Sequence, residues 1–131
     1  MAMGQMDFAG STVCDGTEAG GTVLTVRPGD IVFPAIVDEV LGRNGAVTRQ
    51  RGGGVQRITV RLVRTFANPY ERSLYPEVLA AAIGAQRDTL TVEIAGGVRV
   101  WSGCIVERIS ESGDYVAAAI VLEVTFVRSA L

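Results

Sequence analysis

The segment Ile58-Thr-Val-Arg-Leu-Val-Arg-Thr-Phe66 decides the fold, because apolar and polar side chains alternate along it. Ile58, Val60 and Leu62 fall on one side of an extended chain, and threonine and arginine predominate on the other. Successive side chains of a β-strand point to opposite faces, and β-branched residues favour that conformation. The segment therefore predicts a half-buried strand with one face against a core.

A turn and a short helix are predicted after this strand. Asn68-Pro69-Tyr70-Glu71 has the composition of a turn, since proline cannot donate to a strand ladder. The helix is expected over about 73–84, beginning near Ser73 with Pro76 in its first turn and ending at Gly84. Its predicted buried stripe consists of Leu74, Val78, Leu79, Ala82 and Ile83.

A hairpin is predicted next, with strands over Thr89–Ile94 and Val98–Ile109 around Ala95-Gly96-Gly97. A two-residue loop at Gly96-Gly97 would mix apolar and charged cross-strand partners, so a three-residue loop is preferred. The preferred register pairs Ile94 with Val98, Val92 with Val100, and Glu93 with Arg99. Gly103 is the predicted site of a bulge, because alternation weakens after it.

A closing strand is predicted from about Tyr115 to Val127. One face is apolar throughout and consists of Ala118, Ile120, Leu122, Val124 and Phe126. The other face carries Glu123 and Thr125 but also Val121. We therefore expect a second layer or a neighbouring subunit to cover part of that face.

The first part of the chain shows less periodicity. Residues 1–21, rich in glycine, serine and threonine, are expected to form a flexible N-terminal arm, with residues 22–131 forming a single domain. Within that domain, Thr22–Arg27 predicts a strand and Pro28-Gly29-Asp30 a turn. The chain is extended again from Ile31, with strand favoured and helix as the alternative over 35–41.

Residues 42–57 are predicted to form an extended loop rich in glycine and arginine. Six arginines and no acidic residue lie between Gly42 and Pro69. Three roles fit the loop: a solvated hairpin tip, a contact between subunits, or a phosphate-binding segment without aromatic residues for base stacking. The candidate subunit-interface residues are Arg43, Arg49, Arg51, Arg57 and Trp101. Core packing and ligand binding are the alternatives for Trp101.

Composition argues against common enzyme chemistry. The chain has 131 residues, a net charge of −2 and no histidine, so the commonest general base and metal ligand is missing. Its two cysteines, Cys14 and Cys104, lack the spacing of a zinc site or a redox pair. A buried free thiol is expected at Cys104, with a Cys14–Cys104 disulfide as the alternative. We predict a protein that is not an enzyme, with no catalytic residue, cofactor or metal.

The order of these elements resembles the tail-tube fold of tailed bacteriophages. Tail-tube, distal-tail and baseplate proteins share that fold, and the inner-tube protein of type VI secretion is similar. The resemblance covers Ile58–Val127: a strand ending at Asn-Pro, a helix over Leu74–Ile83, then Thr89-Leu-Thr-Val-Glu-Ile and Val98-Arg-Val-Trp-Ser-Gly-Cys-Ile-Val. It implies a mainly β fold, an antiparallel β-sandwich or barrel-like sheet with one flanking helix, whose subunits assemble into rings.

The expected function is accordingly that of a non-enzymatic structural subunit of a phage or phage-like particle, in the tail, baseplate or neck. Its expected partners are further copies of itself, other virion proteins and passing DNA. Head decoration and head–tail joining are alternative virion roles, and a small nucleic-acid-binding module that uses the arginine-rich loop is an alternative of another class. With no signal peptide or transmembrane segment apparent, a virion protein assembled in the host cytoplasm is expected.

Overall fold

The computed structural model describes residues 4–32, 35–39, 46–50, 54–112 and 118–129. The chain is mainly β, and an antiparallel seven-stranded sheet with one flanking helix forms most of it. The elements are β1 (Gln5–Phe8), β2 (Ser11–Asp15), β3 (Thr22–Val32), β4 (Ala35–Glu39), β5 (Ala46–Gln50), β6 (Val55–Thr65), α1 (Pro69–Ile83), β7 (Arg87–Ile94), β8 (Gly97–Ser112) and β9 (Ala119–Ser129). The strand order is β2-β1-β7-β8-β9-β6-β3, and the sheet does not close.

Strands β6 and β9 form the centre of the sheet and confirm the predicted alternation. They pair residue by residue, so that Ile58, Val60 and Leu62 lie opposite Phe126, Val124 and Leu122. All of these side chains are fully buried. Burying each one contributes roughly 1.5–3 kcal/mol, which makes this strand pair the base of the core.

The predicted flexible arm is wrong for residues 5–15, which form β1 and β2. Strand β1 pairs with β7, placing Met6 opposite Val92 and Phe8 opposite Leu90. Met6 and Phe8 are fully buried, and the Phe8 ring centroid lies 5.1 Å from that of Phe126. Two apolar residues in a short strand give little periodic signal, and pairing with β7 on one side and β2 on the other stabilises the strand.

Strand β3 runs through the predicted turn at Pro28-Gly29-Asp30. The ladder with β6 shifts register between Pro28 and Ile31, so these residues form a bulge. The Gln56 side chain donates a hydrogen bond to the Gly29 carbonyl at 3.0 Å and supports it. Proline is tolerated here because β3 is an edge strand, where a missing donor costs little.

Helix α1 begins four residues before its predicted start. The Asn68 side chain accepts a hydrogen bond from the Glu71 N–H at 2.9 Å, so Asn68 is the N-cap and Pro69 lies in the first turn. Pro76 is therefore inside the helix. Gly84 caps the C-terminus, as predicted.

The buried face of α1 also differs from the predicted stripe. Leu79 and Ile83 are buried as expected, but the other buried residues are Arg72 and Tyr75. The Tyr75 ring packs 5.1 Å from the Phe66 ring, and this aromatic contact sets the orientation of the helix. Leu74 and Val78 are consequently exposed.

The β7–β8 hairpin has a two-residue loop, Ala95-Gly96, so the predicted three-residue loop is wrong. The pairs are Ile94 with Gly97, Glu93 with Val98, Val92 with Arg99, Thr91 with Val100 and Leu90 with Trp101. This register buries Trp101, whose apolar area exceeds that of a valine, opposite Leu90. Gly103, with φ 68°, lies at a register shift and confirms the predicted bulge.

The segment predicted as an extended loop contains regular structure. Strands β4 and β5 pair with each other in a separate two-stranded sheet, which confirms strand over helix for 35–39. Residues 46–50 of the predicted loop therefore belong to β5, and 55–57 belong to β6. Tyr115, the predicted start of the closing strand, lies outside the described residues.

Candidate assembly surface

Strand β3 forms one edge of the seven-stranded sheet. At its start, the Val23 N–H donates to the Gly4 carbonyl at 2.9 Å and ties β3 to the chain just before β1. From Leu24 to Val32, the described part of the chain supplies no strand partner on the side away from β6. This open edge presents backbone donors and acceptors that another strand could pair with.

The same strand carries exposed apolar side chains. Leu24, Ile31 and Val32 are 51%, 50% and 58% exposed. Leu24 lies where the ladder with β6 shifts register, and the other two follow the bulge at Gly29. Edge strands of soluble proteins usually carry charges or are covered by another element, so this apolar edge is a candidate site of association.

A groove of about 320 Å³ separates β3 from the tip of the β7–β8 hairpin. Leu24 lines one wall, and Glu93 and Ile94 line the other. The Glu93 Oε2 atom is buried and accepts no hydrogen bond from the described residues. A strand entering this groove could cover the apolar walls and donate to that oxygen.

The outer face of the hairpin adds two exposed valines. Val98 and Val100 lie two residues apart on β8, so their side chains share one face. Both are about half exposed, at 52% and 54%. The three-residue loop predicted from the sequence would place both valines on the core face, but the observed register exposes them.

Helix α1 presents a second apolar stripe to solvent. Tyr70, Leu74 and Val78 recur every four residues and lie on one exposed side of the helix. An N-cap at Asn68 places Tyr70 inside the helix. With that helix start, the four-residue spacing of the apolar residues can be recognised in the sequence.

The predicted interface arginines fall into two groups. Arg43 and Arg51 lie outside the described residues, and Arg49 is in β5 with its backbone opposite Ile36. Arg57 lies on β6, where its Nε atom is 3.0 Å from Oε2 of Glu107 on β8. The described geometry therefore does not gather these arginines into one site.

Trp101 is a core residue, which corrects its prediction as an interface residue. It is 1% exposed within the single chain and has no surface to offer a neighbour. The Arg99 guanidinium lies 5.2 Å from the ring centroid and covers it on the outside. Hydrophobic burial of the indole explains this position better than recognition of a partner.

Both cysteines are buried free thiols, as predicted for Cys104. Burial raises the pKa of Cys14 to about 12, and it also raises the pKa of Cys104. A thiol that stays protonated is a poor nucleophile and a poor metal ligand. Within the described ranges, no three histidine, cysteine or acidic side chains cluster in a way that could hold a metal ion.

Near Cys14, Arg64 joins β6 to the helix and to the turn before β3. Its guanidinium lies 5.0 Å from the Phe66 ring centroid and 4.9 Å from that of Tyr75. Its Nε atom donates to the Ala19 carbonyl at 3.0 Å. These contacts give Arg64 a structural role.

No helix in the described part of the chain is both long enough and apolar enough to cross a lipid bilayer. No protein-family model matches the sequence, and no curated protein is significantly similar to it.

Proposed function

We propose that this chain is a non-enzymatic structural subunit of a phage or phage-like particle, in the tail, baseplate or neck, that acts by assembling into rings. In this role its partners are further copies of itself and other virion proteins. The site of action is the virion, which is assembled in the host cytoplasm. The mainly β fold with one flanking helix is consistent with the β-sandwich or barrel-like sheet that the resemblance to tail-tube proteins implies, although seven of the strands form one sheet that does not close.

The observation that carries the proposal is the apolar open edge of β3. Eleven residues of strand, three of them large, apolar and half exposed, lie at this end of the sheet. In a permanently monomeric protein, such an edge would promote uncontrolled pairing between strands. A specific neighbour that pairs with β3 and covers Leu24 removes this hazard.

The exposed surfaces also favour a ring over a two-fold dimer. The edge of β3, the valines of the hairpin and the stripe on α1 are different surfaces on one subunit. When one surface of a subunit binds a different surface of the next copy, the contact repeats from copy to copy, and it forms a ring when the rotation between copies closes. A closed ring leaves no copy with an open edge.

The arginine-rich segment retains its predicted place in this scheme. Arg43, Arg49 and Arg51 would lie at contacts between subunits or between rings. Replacing all three by serine should weaken assembly and leave the fold intact. Normal assembly of that triple variant would reject this role for the segment.

The test of the β3 edge is the molar mass in solution, measured by light scattering for the wild type and two double variants. L24K/I31K places lysine on the open edge, where its charge opposes strand pairing. A80K/Q86K adds the same charge at exposed positions away from β3 and from the apolar stripe on α1. We expect L24K/I31K to be monomeric, and A80K/Q86K to assemble as the wild type does.

Circular dichroism of both variants provides the control for folding. A wild type that is monomeric at every concentration would contradict self-assembly. Assembly of folded L24K/I31K at wild-type strength would contradict the role given to β3.

A further inference from the structure

The outward face of β3, β6, β9 and β8 carries a set of exposed basic side chains. Arg27 lies opposite Thr59, Thr59 opposite Thr125, and Thr125 opposite Arg108. These four residues form a row across four strands, with arginine at each end and a threonine hydroxyl on each inner strand. We call this set, together with Arg61, the arginine row.

Strand spacing sets the dimensions of the row. Neighbouring strands lie about 4.8 Å apart, so the backbone positions of Arg27 and Arg108 are separated by about 14 Å. Arg61 lies two residues from Thr59 on β6 and faces the same way. Arg27, Thr59 and Arg61 also line an open groove of about 460 Å³.

The three arginines of the row are available for a ligand. All three are exposed, and within the described residues none lies within 4.0 Å of a carboxylate oxygen. Arg57, on the same face, differs because it is ion-paired with Glu107. An acid lies beside the row: Glu123 is the β9 partner of Arg61 and lines the same groove.

We propose that the arginine row binds the phosphate backbone of nucleic acid without reading its bases. Guanidinium groups recognise phosphate oxygens by paired hydrogen bonds, and threonine hydroxyls also contact phosphates. The row contains no aromatic side chain on which a base could stack, so contacts to the backbone are expected. The chain's net charge of −2 gives no general attraction to polyanions, so binding has to be local.

Nucleic acid fits this surface better than an anionic membrane does. Peripheral membrane binding usually combines basic residues with apolar side chains that enter the bilayer. The arginine row has threonines between its charges. The exposed large apolar residues of the described chain lie at the ends of β3, in the hairpin and on α1. A row of charges along one direction instead suits a linear series of phosphates.

The inference goes beyond the proposed function, because a single subunit carries the whole row. It applies to a monomer as well as to a ring. It also differs from nucleic-acid binding by residues 42–57, since Arg27, Arg61 and Arg108 lie on regular strands of the main sheet.

The test is binding of the full chain to a short fluorescent DNA duplex, measured by anisotropy over a range of salt concentrations. R27Q/R61Q removes two charges from the row, and R87Q/R99Q removes two charges from β7 and β8 outside it. Each lost phosphate contact lowers the slope of log K against log salt by about 0.9. We expect R27Q/R61Q to bind more weakly, with a slope smaller by about 2, and R87Q/R99Q to bind as the wild type does.

A variant that is expected to bind DNA more tightly provides an independent test. E123Q removes the acid next to Arg61 and should tighten binding to the same duplex. Absence of DNA binding at low salt would overturn the proposal, as would equal losses in the two double variants. Binding to phosphatidylserine vesicles without binding to DNA would also overturn it.

Light scattering separates this proposal from the assembly proposal. R27Q/R61Q should retain the molar mass of the wild type, whatever that mass is. A loss of mass in this variant would overturn the inference, because the arginines would then belong to a subunit contact.

Discussion

At the scale of single residues, Arg72 has an unusual position in the core. Its side chain is fully buried on the inner face of α1, while its partner Glu111 is 19% exposed. The Nη1 atom lies 3.3 Å from Glu111 Oε1, and Nε donates to the Ala119 carbonyl at 3.3 Å. A buried guanidinium depends on these contacts, since desolvation of a charge without compensation is costly.

This environment predicts a large effect of E111A on stability. Removing one partner of a buried ion pair costs about 3 kcal/mol, because the remaining charge is left buried. The matched control is E107A, which breaks the exposed pair with Arg57 and should cost about 0–1 kcal/mol. Urea denaturation measures both values. Equal losses in the two variants would show that Glu111 does not stabilise Arg72.

The buried thiol of Cys14 leads us to expect a loss of stability at alkaline pH. Burial raises its pKa from 9.0 to about 12, so the folded state keeps the thiol protonated while the unfolded state ionises. The unfolded state therefore binds fewer protons between pH 9 and 12, and the free energy of unfolding falls as pH rises through this window. C14A should show a smaller fall, because only Cys104 then contributes a raised thiol pKa.

Thiol modification provides a second readout for the cysteines. The folded wild type should react slowly with a thiol reagent at pH 8, and in urea both cysteines should react at once. Rapid labelling of the folded protein would contradict the buried positions of Cys14 and Cys104.

At the scale of elements, the strands were predictable where one face is apolar over several residues, as in β6 and β9. Their period-two pattern needs no information about partners. Helix α1 was only partly predictable, because Asn-Pro can begin either a turn or a helix. The β7–β8 register depended on a choice between burying two valines and burying Trp101. The structure buries Trp101, which packs opposite Leu90. A pattern of apolar and polar residues does not contain this pairing between strands.

The helix start predicts different effects for two capping candidates. N68A should destabilise the protein by about 1 kcal/mol, because the Glu71 N–H loses its acceptor. S73A, at the start expected from the sequence, removes an exposed hydrogen bond to the Tyr70 carbonyl and should cost less. Thermal unfolding of both variants measures the difference. A larger effect of S73A would place the helix start near residue 73.

The hairpin register predicts that a threonine substitution lowers stability at one valine and has little effect at another. V92T should destabilise by about 1–3 kcal/mol, since it introduces a hydroxyl at a fully buried site. V100T lies at an exposed site and should change stability by less than about 0.5 kcal/mol. Similar losses in both variants would favour the three-residue loop, which places both side chains on the core face.

At the scale of the whole molecule, the described part of the chain leaves one edge of β3 without a strand partner from Leu24 to Val32 and leaves several apolar side chains exposed. The sequence predicted a mainly β fold, and it also indicated that some strand faces need cover. The candidate surface itself was not predictable. Val98 and Val100 depend on the hairpin register, Tyr70 on the helix start, and Leu24 on a bulge in β3. The hairpin register and the bulge depend on pairing with neighbouring strands, whereas the helix start depends on the local cap at Asn68.

Negative-stain imaging of the purified chain, taken from the peak whose mass light scattering has determined, tests the proposed assembly most directly. We expect rings or stacked rings for the wild type, and we expect them to be lost in L24K/I31K but not in A80K/Q86K. Single small particles in the wild type at all concentrations, with a monomer mass, would contradict ring formation by this chain.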